Sequence, residues 1–238
     1  MTTEREVHAA SFDRAADAYE RGRPPYPAEV VAWAVPAGAR RVLDLGAGTG
    51  KLTRVLVDAG LDVVAVEPSA RMREQLAGAV PEATALEGAA ERIPLADGSV
   101  DAVVVAQAWH WVDPAVAVPE VARVLRPGGT LSLIWNIRDH SEPRVARLDE
   151  LLRRHTRGEL DTAPVIGEPF GAPERTEIRW RHRLTRAELL DMVASRSYVI
   201  VLPDDERERL LADVAALVGD AGEIEMPYVT RCTRVTRR

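Results

Sequence analysis

The sequence predicts an α/β protein built on a parallel, doubly wound sheet, and three observations carry that prediction. Apolar runs too short for helices recur between residues 40 and 137, separated by helical patterns of about 10–15 residues. One of them, 42–50 (VLDLGAGTG), ends in three alternating glycines that lead directly into a helical pattern. Several runs are apolar almost throughout, as strands are when both faces of a parallel sheet are covered.

The elements follow in order. Val42, Leu43 and Leu45 form a short strand, after which Gly46, Gly48 and Gly50 allow a sharp turn and a close approach of main chain to a ligand. Lys51, Leu52, Val55, Leu56 and Ala59 recur at helical spacing, and Gly60 ends the helix. Residues 61–67 (LDVVAVE) read as a second strand closed by an acid, 68–78 as a helix, 83–87 as a third strand and 101–107 (DAVVVAQ) as a fourth. A helix over 114–125 is stopped by Pro127, Gly128 and Gly129, and 130–135 is the fifth strand. Crossovers of this kind are right-handed and leave the ligand crevice at the carboxyl ends of the strands. Beyond it, Val145, Leu148, Leu151 and Leu152 share a helical face, and 161–173 is a loop rich in Pro and Gly. Residues 176–182 and 226–235 alternate as strands do, with helical patterns at 185–195 and 204–218 between them.

Composition sets limits. A chain of 238 residues suits one sizeable domain, and its net charge of −6 argues against a nucleic-acid surface, which needs a basic stripe. The single cysteine allows no internal disulfide, and no apolar run approaches the ~20 residues of a membrane span. The polar start MTTEREVHAA is unlike a signal peptide, so a cytoplasmic protein is expected. The histidines lack ligand spacing, and no metal site is expected. Oligomeric state is not written in the sequence.

The glycine loop reads D-x-G-x-G-x-G. A dinucleotide loop would carry its third glycine one residue later, where Lys51 stands, and would not have Asp44 two residues ahead of the first glycine. Together with LDVVAVE, GAAERIPLADGSVDAVVVAQAWHWVDP and PEVARVLRPGGTLSLIWN, taken in chain order, the loop resembles the motifs of class I methyltransferases that use S-adenosylmethionine, in their type-11 branch. The resemblance covers most of the chain. It implies a Rossmann-like, doubly wound, seven-stranded mixed sheet with helices on both faces and an antiparallel last pair of strands. About forty residues separate that pair here, which implies a C-terminal helical lid. The expected layout is one domain, 1–238, with an N-terminal cover segment (1–36), a cofactor-binding core (40–137) and C-terminal strands with the substrate lid (138–238).

The resemblance also implies roles for single residues. Gly46, Ala47 and Gly48 form the loop against S-adenosylmethionine, Asp44 accepts from its amino group, and Glu67 holds both ribose hydroxyls. Glu67 stands about twenty residues past Asp44, as ribose acids do. Pro68, Met72, Ala89, Ala90 and Glu91 fall around the adenine, although relatives carry an aspartate where this chain has Ala89. Gln107 and Trp109 belong beside the methionine arm, and one of Trp109 and Trp111 should point inward and the other outward. Tyr19 and Arg23, on a helix with Phe12, Ala15 and Ala16, match the aromatic and the arginine that close over the cofactor. His110 is the candidate base, its ordinary pKa of about 6.5 suiting that task. Plainer readings stay open: Asp44 as a capping carboxylate, Met72 and Trp109 as core, Glu91 as a solvated acid, His110 as a structural histidine, Arg23 as a surface charge. Arg138, Arg196, Tyr198 and Tyr228 are further candidates for an acceptor pocket.

The function expected is methyl transfer to a small-molecule acceptor, oxygen being favoured over nitrogen or carbon. Two alternatives remain: a non-catalytic S-adenosylmethionine-binding regulatory module and a nicotinamide-dependent oxidoreductase.

Overall fold

The structure, a computed structural model, describes residues 24–153, 166–219 and 222–238. Tyr19 and Arg23 lie outside the described residues. In chain order the elements are α1 (Glu29–Ala34), β1 (Arg41–Leu45), α2 (Lys51–Asp58), β2 (Asp62–Val66), α3 (Ala70–Ala79), β3 (Thr84–Leu86) and β4 (Val100–Ala106). A 3₁₀ turn (Trp109–Trp111) precedes α4 (Pro114–Val124), β5 (Leu125–Arg138) and α5 (Pro143–Arg153). Then come β6 (Glu174–Leu184), α6 (Arg186–Ala194), α7 (Ser197–Ile200), α8 (Asp204–Val218) and β7 (Ile224–Thr236).

These strands make one seven-stranded sheet in the order β3-β2-β1-β4-β5-β7-β6. The pairs β2–β3, β1–β2, β1–β4 and β4–β5 are parallel. Ion pairs Glu174–Arg234, Glu177–Arg231 and Arg183–Glu225 join β6 to β7 with numbers rising in one strand as they fall in the other, the register of an antiparallel pair. The sheet is therefore mixed, as expected. Chain order reverses between β1 and β4, so the loops after these two strands border the crevice that such a reversal opens.

The chain forms two compact units. One comprises residues 25–136, 162–178 and 230–238. In its sheet, alternate residues feed two apolar clusters. Leu43, Leu45, Val64, Val66, Val103 and Val105 pack with Val118 and Val121 of α4. Val42, Val63, Ala102 and Val104 pack instead with Val30 and Val31 of α1 and Leu52 and Leu56 of α2. Helices thus cover both faces, which is why the central strands read as unbroken apolar runs. The other unit contains residues 137–161 and 179–229, and its core gathers Leu148 and Leu152 of α5, Leu189 and Met192 of α6, Leu210 and Val214 of α8, and Tyr228 of β7.

Two expectations need correction. The helix over 114–125 ends at Val124, and the fifth strand begins at Leu125 rather than at 130. Leu125 pairs with Val100 and Thr130 with Ala102, so the stretch 126–129 bulges opposite Asp101. At Gly129 a Cβ would stand 2.8 Å from the Asp101 carbonyl, so the glycine is what lets the bulge close. Asp101 in turn accepts from the amides of Arg40 and Arg41 at 2.8 and 2.9 Å, fixing the start of β1. The second correction is α7, a single turn between the two expected helical patterns and too short to show periodicity.

Candidate functional site

The loop after β1 is held by its neighbours. Gly46 and Ala47 donate to the Val66 carbonyl at 2.8 and 3.2 Å, and Gly50, left-handed at φ 91°, begins α2. Gly46 is also left-handed (φ 72°), and a Cβ there would stand 2.8 Å from Cβ of Ala108, in the turn after β4. The two loops of the sheet reversal therefore touch, and only glycine fits the contact.

Two carboxylates flank this loop. Asp44, on β1, is 1% exposed, and its Oδ2 accepts from Thr53 Oγ1 of α2 at 2.7 Å. Its Oδ1 is buried and, among the described residues, has no hydrogen-bond partner, and neither has the hydroxyl of Thr49 in the loop itself. Burial pushes the Asp44 pKa up to about 7, against the Thr53 bond that lowers it and with the nearby Glu67 charge adding to the rise. Glu67 follows β2 and is 7% exposed. Its Oε2 accepts from the Gly48 amide and its Oε1 from the Ser69 amide, both at 2.9 Å. The acid is thus oriented before any ligand arrives.

Around them, Ser69 caps α3 by accepting from Met72 N at 3.2 Å. Arg73 donates to the carbonyls of Glu67 and Pro68 at 2.9 and 2.7 Å and pairs with Glu87, latching the turn after β2. Met72 is buried, its sulfur 4.0 Å from where a Cβ on Gly48 would lie. At the next turn Ala89 bridges to Arg92, and Ala90 packs into the core. Glu91 has a duty the sequence does not suggest: its Oε1 accepts from Asp113 N at 2.9 Å, at the cap of α4.

After β4, Gln107 takes a left-handed conformation (φ 56°), uncommon for a residue with a side chain and typical of constrained functional turns. Its side-chain amide donates to the Asn136 carbonyl at 3.0 Å and its main-chain amide to Ile134. Asn136 also donates to the Pro25 carbonyl at 2.9 Å and accepts from Thr230 Oγ1 at 2.6 Å. Trp109 points inward (5% exposed) and Trp111 outward (37%), the alternation expected. Trp109 sits in the same apolar cluster as Leu43 and Val121. His110 is exposed, its ring 4.6 Å from that of Trp111.

The structure therefore brings Asp44, Gly46, Ala47, Gly48, Glu67, Pro68 and Met72 together, and joins Ala108 to the loop. Sequence reasoning missed Thr53, Ser69 and Asn136. Ser69 had a signal, since serine ahead of a helical pattern is a cap. The other two are recognisable only once the strands are in place.

The donor set fits the methyl donor. Carboxylates only accept, so Asp44 and Glu67 suit an ammonium group and a diol. A pyrophosphate beside buried Asp44 would meet like charge, which counts against a dinucleotide. Among the described residues no cluster of His, Cys, Asp and Glu could hold a metal ion, and no helix is long and apolar enough to cross a membrane.

Comparison with known proteins agrees. Residues 43–133 match the family model described as a methyltransferase domain. An uncharacterized methyltransferase of Mycobacterium bovis is 52% identical over 99% of both chains. Among solved structures, a candidate type II methyltransferase of Anaeromyxobacter dehalogenans superimposes with a TM-score of 0.67 at 25% identity, covering 89% of this chain and 97% of that one. The fold is shared too with phosphoethanolamine N-methyltransferase 2 of Haemonchus contortus, solved with phosphomonomethylethanolamine and S-adenosylhomocysteine. That match has a TM-score of 0.60 at 16% identity and covers 100% of this chain and 60% of the other. The chain belongs to the class I methyltransferases, enzymes whose cofactor is S-adenosylmethionine.

Proposed function

We propose that this enzyme methylates an oxygen of a small-molecule acceptor, with the donor lying in the crevice between the loops after β1, β2 and β4. The observation that carries the site is the pair of buried carboxylates flanking the glycine loop, one fixed by two amides and the other with a bare oxygen. Glu67 accepts from the ribose hydroxyls, and Asp44 Oδ1 takes the ammonium of the methionine end. Gly46, Ala47 and Gly48 bring main chain against the donor, and Pro68, Met72, Ala89 and Ala90 border the adenine. Gln107 lines the methionine arm, with Trp109 supporting it from the core. When bound, S-adenosylmethionine supplies a methyl group on a cationic sulfur, which an aligned nucleophile displaces directly. Alignment accounts for most of the acceleration, and His110, exposed beside Trp111, takes the proton from the acceptor hydroxyl.

Labelled donor incubated with cell extract and the enzyme, followed by mass analysis of the product, tests the reading. A labelled methyl ether or ester supports it, and label only on nitrogen or carbon overturns the oxygen assignment. A His110→Ala variant with wild-type turnover at every pH removes the base and leaves alignment alone.

A further inference from the structure

The C-terminal unit holds a second polar centre. Arg138, at the end of β5, and Asp149, on α5, have side chains only 8% and 4% exposed. Arg138 Nε donates to Asp149 Oδ1 at 2.7 Å, and Nη2 donates to the same oxygen. His140 Nε2 stands 2.8 Å from Oδ2. One edge of the guanidinium is thereby fixed on the carboxylate. At its other end Nη1 is buried and, among the described residues, has no hydrogen-bond partner. A buried donor left unmade is costly, the more so on a charged group, so an arrangement that holds one rigidly in place calls for an oxygen opposite it.

The surroundings define that oxygen. Arg138 and Asp149 cancel in charge, so a full anion beside them would be buried without a counter-charge, whereas a neutral oxygen needs only the N–H. Burial works against the Arg138 charge and is outweighed by Asp149, with Tyr228 and Tyr198 also near enough to favour it. Both tyrosines belong to the apolar cluster that includes Val145, Leu148 and Met192, and the Tyr228 hydroxyl donates to Met192 sulfur at 3.2 Å. The structure assigns Arg138 Nη1 as the polar contact of a ligand-binding site within this unit, one that takes an uncharged carbonyl or hydroxyl oxygen on an otherwise apolar molecule.

The probes are 1-indanone, its hydrocarbon indane, and benzoate, each titrated into the full chain saturated with S-adenosylhomocysteine and followed by ligand-observed NMR. Indanone is expected to bind in the millimolar range, at least tenfold more tightly than indane or benzoate. Arg138→Lys, which keeps a cation on Asp149 but lacks the second planar donor, should weaken indanone at least tenfold and leave indane and S-adenosylhomocysteine unchanged. Arg138→Met combined with Asp149→Leu should abolish the preference for the ketone in an apolar core of similar size. Equal binding of indanone and indane to the wild type, or no indanone binding, overturns the site, since Nη1 then faces a buried water alone. Tighter benzoate binding overturns the neutral-oxygen assignment. The wild-type comparison needs no variant to fold. Loss of S-adenosylhomocysteine binding in the wild type would instead count against the donor site, so the two failures are distinguishable.

Discussion

Asp44 and Asp149 lie equally deep, at 1% and 3% exposure, yet their surroundings treat them in opposite ways. Asp149 is met on Oδ1 by a guanidinium, while its Oδ2, 2.8 Å from the His140 Nε2, makes no hydrogen bond among the described residues. Among the described residues Asp44 is met by a single hydroxyl, and burial drives its pKa to about 7. The difference is a counter-charge: Asp149 has a guanidinium against it, and Asp44 has none among the described residues. A protein retains an unfavourable buried acid where a ligand repays it, and in the function proposed above that ligand is the cationic end of the methyl donor.

The comparison can be broken first at Asp149. Asp149→Leu alone strands Arg138 and should cost about 3–5 kcal/mol of stability in chemical denaturation, whereas adding Arg138→Met should recover most of it. A loss under about 1 kcal/mol from the single change would show that the pair holds little.

Asp44 should behave in the reverse manner. Its folded pKa lies above the unfolded value, so the stability it contributes is complete below pH 3.8 and is lost as pH climbs through about 7. The loss amounts to at most ~4 kcal/mol in the unliganded chain. Asp44→Asn should flatten that slope, leaving the protein more stable than wild type at pH 8 while weakening donor binding. Wild-type donor affinity should fall as pH drops from 7.5 to 6, because the ionised acid binds the ammonium. Parallel pH–stability curves for the two proteins would contradict the assignment.

Smaller effects sharpen the contrast. Gly46→Ala, which meets Ala108 at 2.8 Å in a left-handed conformation, should destabilise by about 2 kcal/mol and weaken donor binding as well. Thr185→Ala removes the capping box of α6, in which Thr185 Oγ1 accepts from Glu188 N at 3.2 Å while Glu188 accepts from Thr185 N. It should cost about 1 kcal/mol and leave donor affinity untouched. Calorimetry on both variants separates the two regions.

The glycine-loop end of the sheet was legible because its signals are local. Alternating glycines, an acid closing a strand and unbroken apolar runs each sit within a few residues, so β1, β2 and β4 and the loop between β1 and α2 follow from the chain directly. The partners were not legible. Nothing near Asp44 marks Thr53 as its donor, and nothing near Glu91 marks the Asp113 amide that the fold brings to it. The early start of β5 escaped because proline and glycines usually end structure, while here they form a bulge. The Arg138–Asp149 centre joins a strand end to a helix, and neither periodicity nor motif points to it. Side-chain chemistry that depends on long-range packing is the part a sequence leaves unwritten.

Calorimetric titration of S-adenosylhomocysteine into wild type and Glu67→Ala at pH 7.5 tests the donor crevice most directly. Binding to the wild type, weakened roughly ten- to a hundredfold in the variant as when a charged hydrogen bond is lost, is the predicted result. Equal affinity in the two proteins, with both folded, would contradict it.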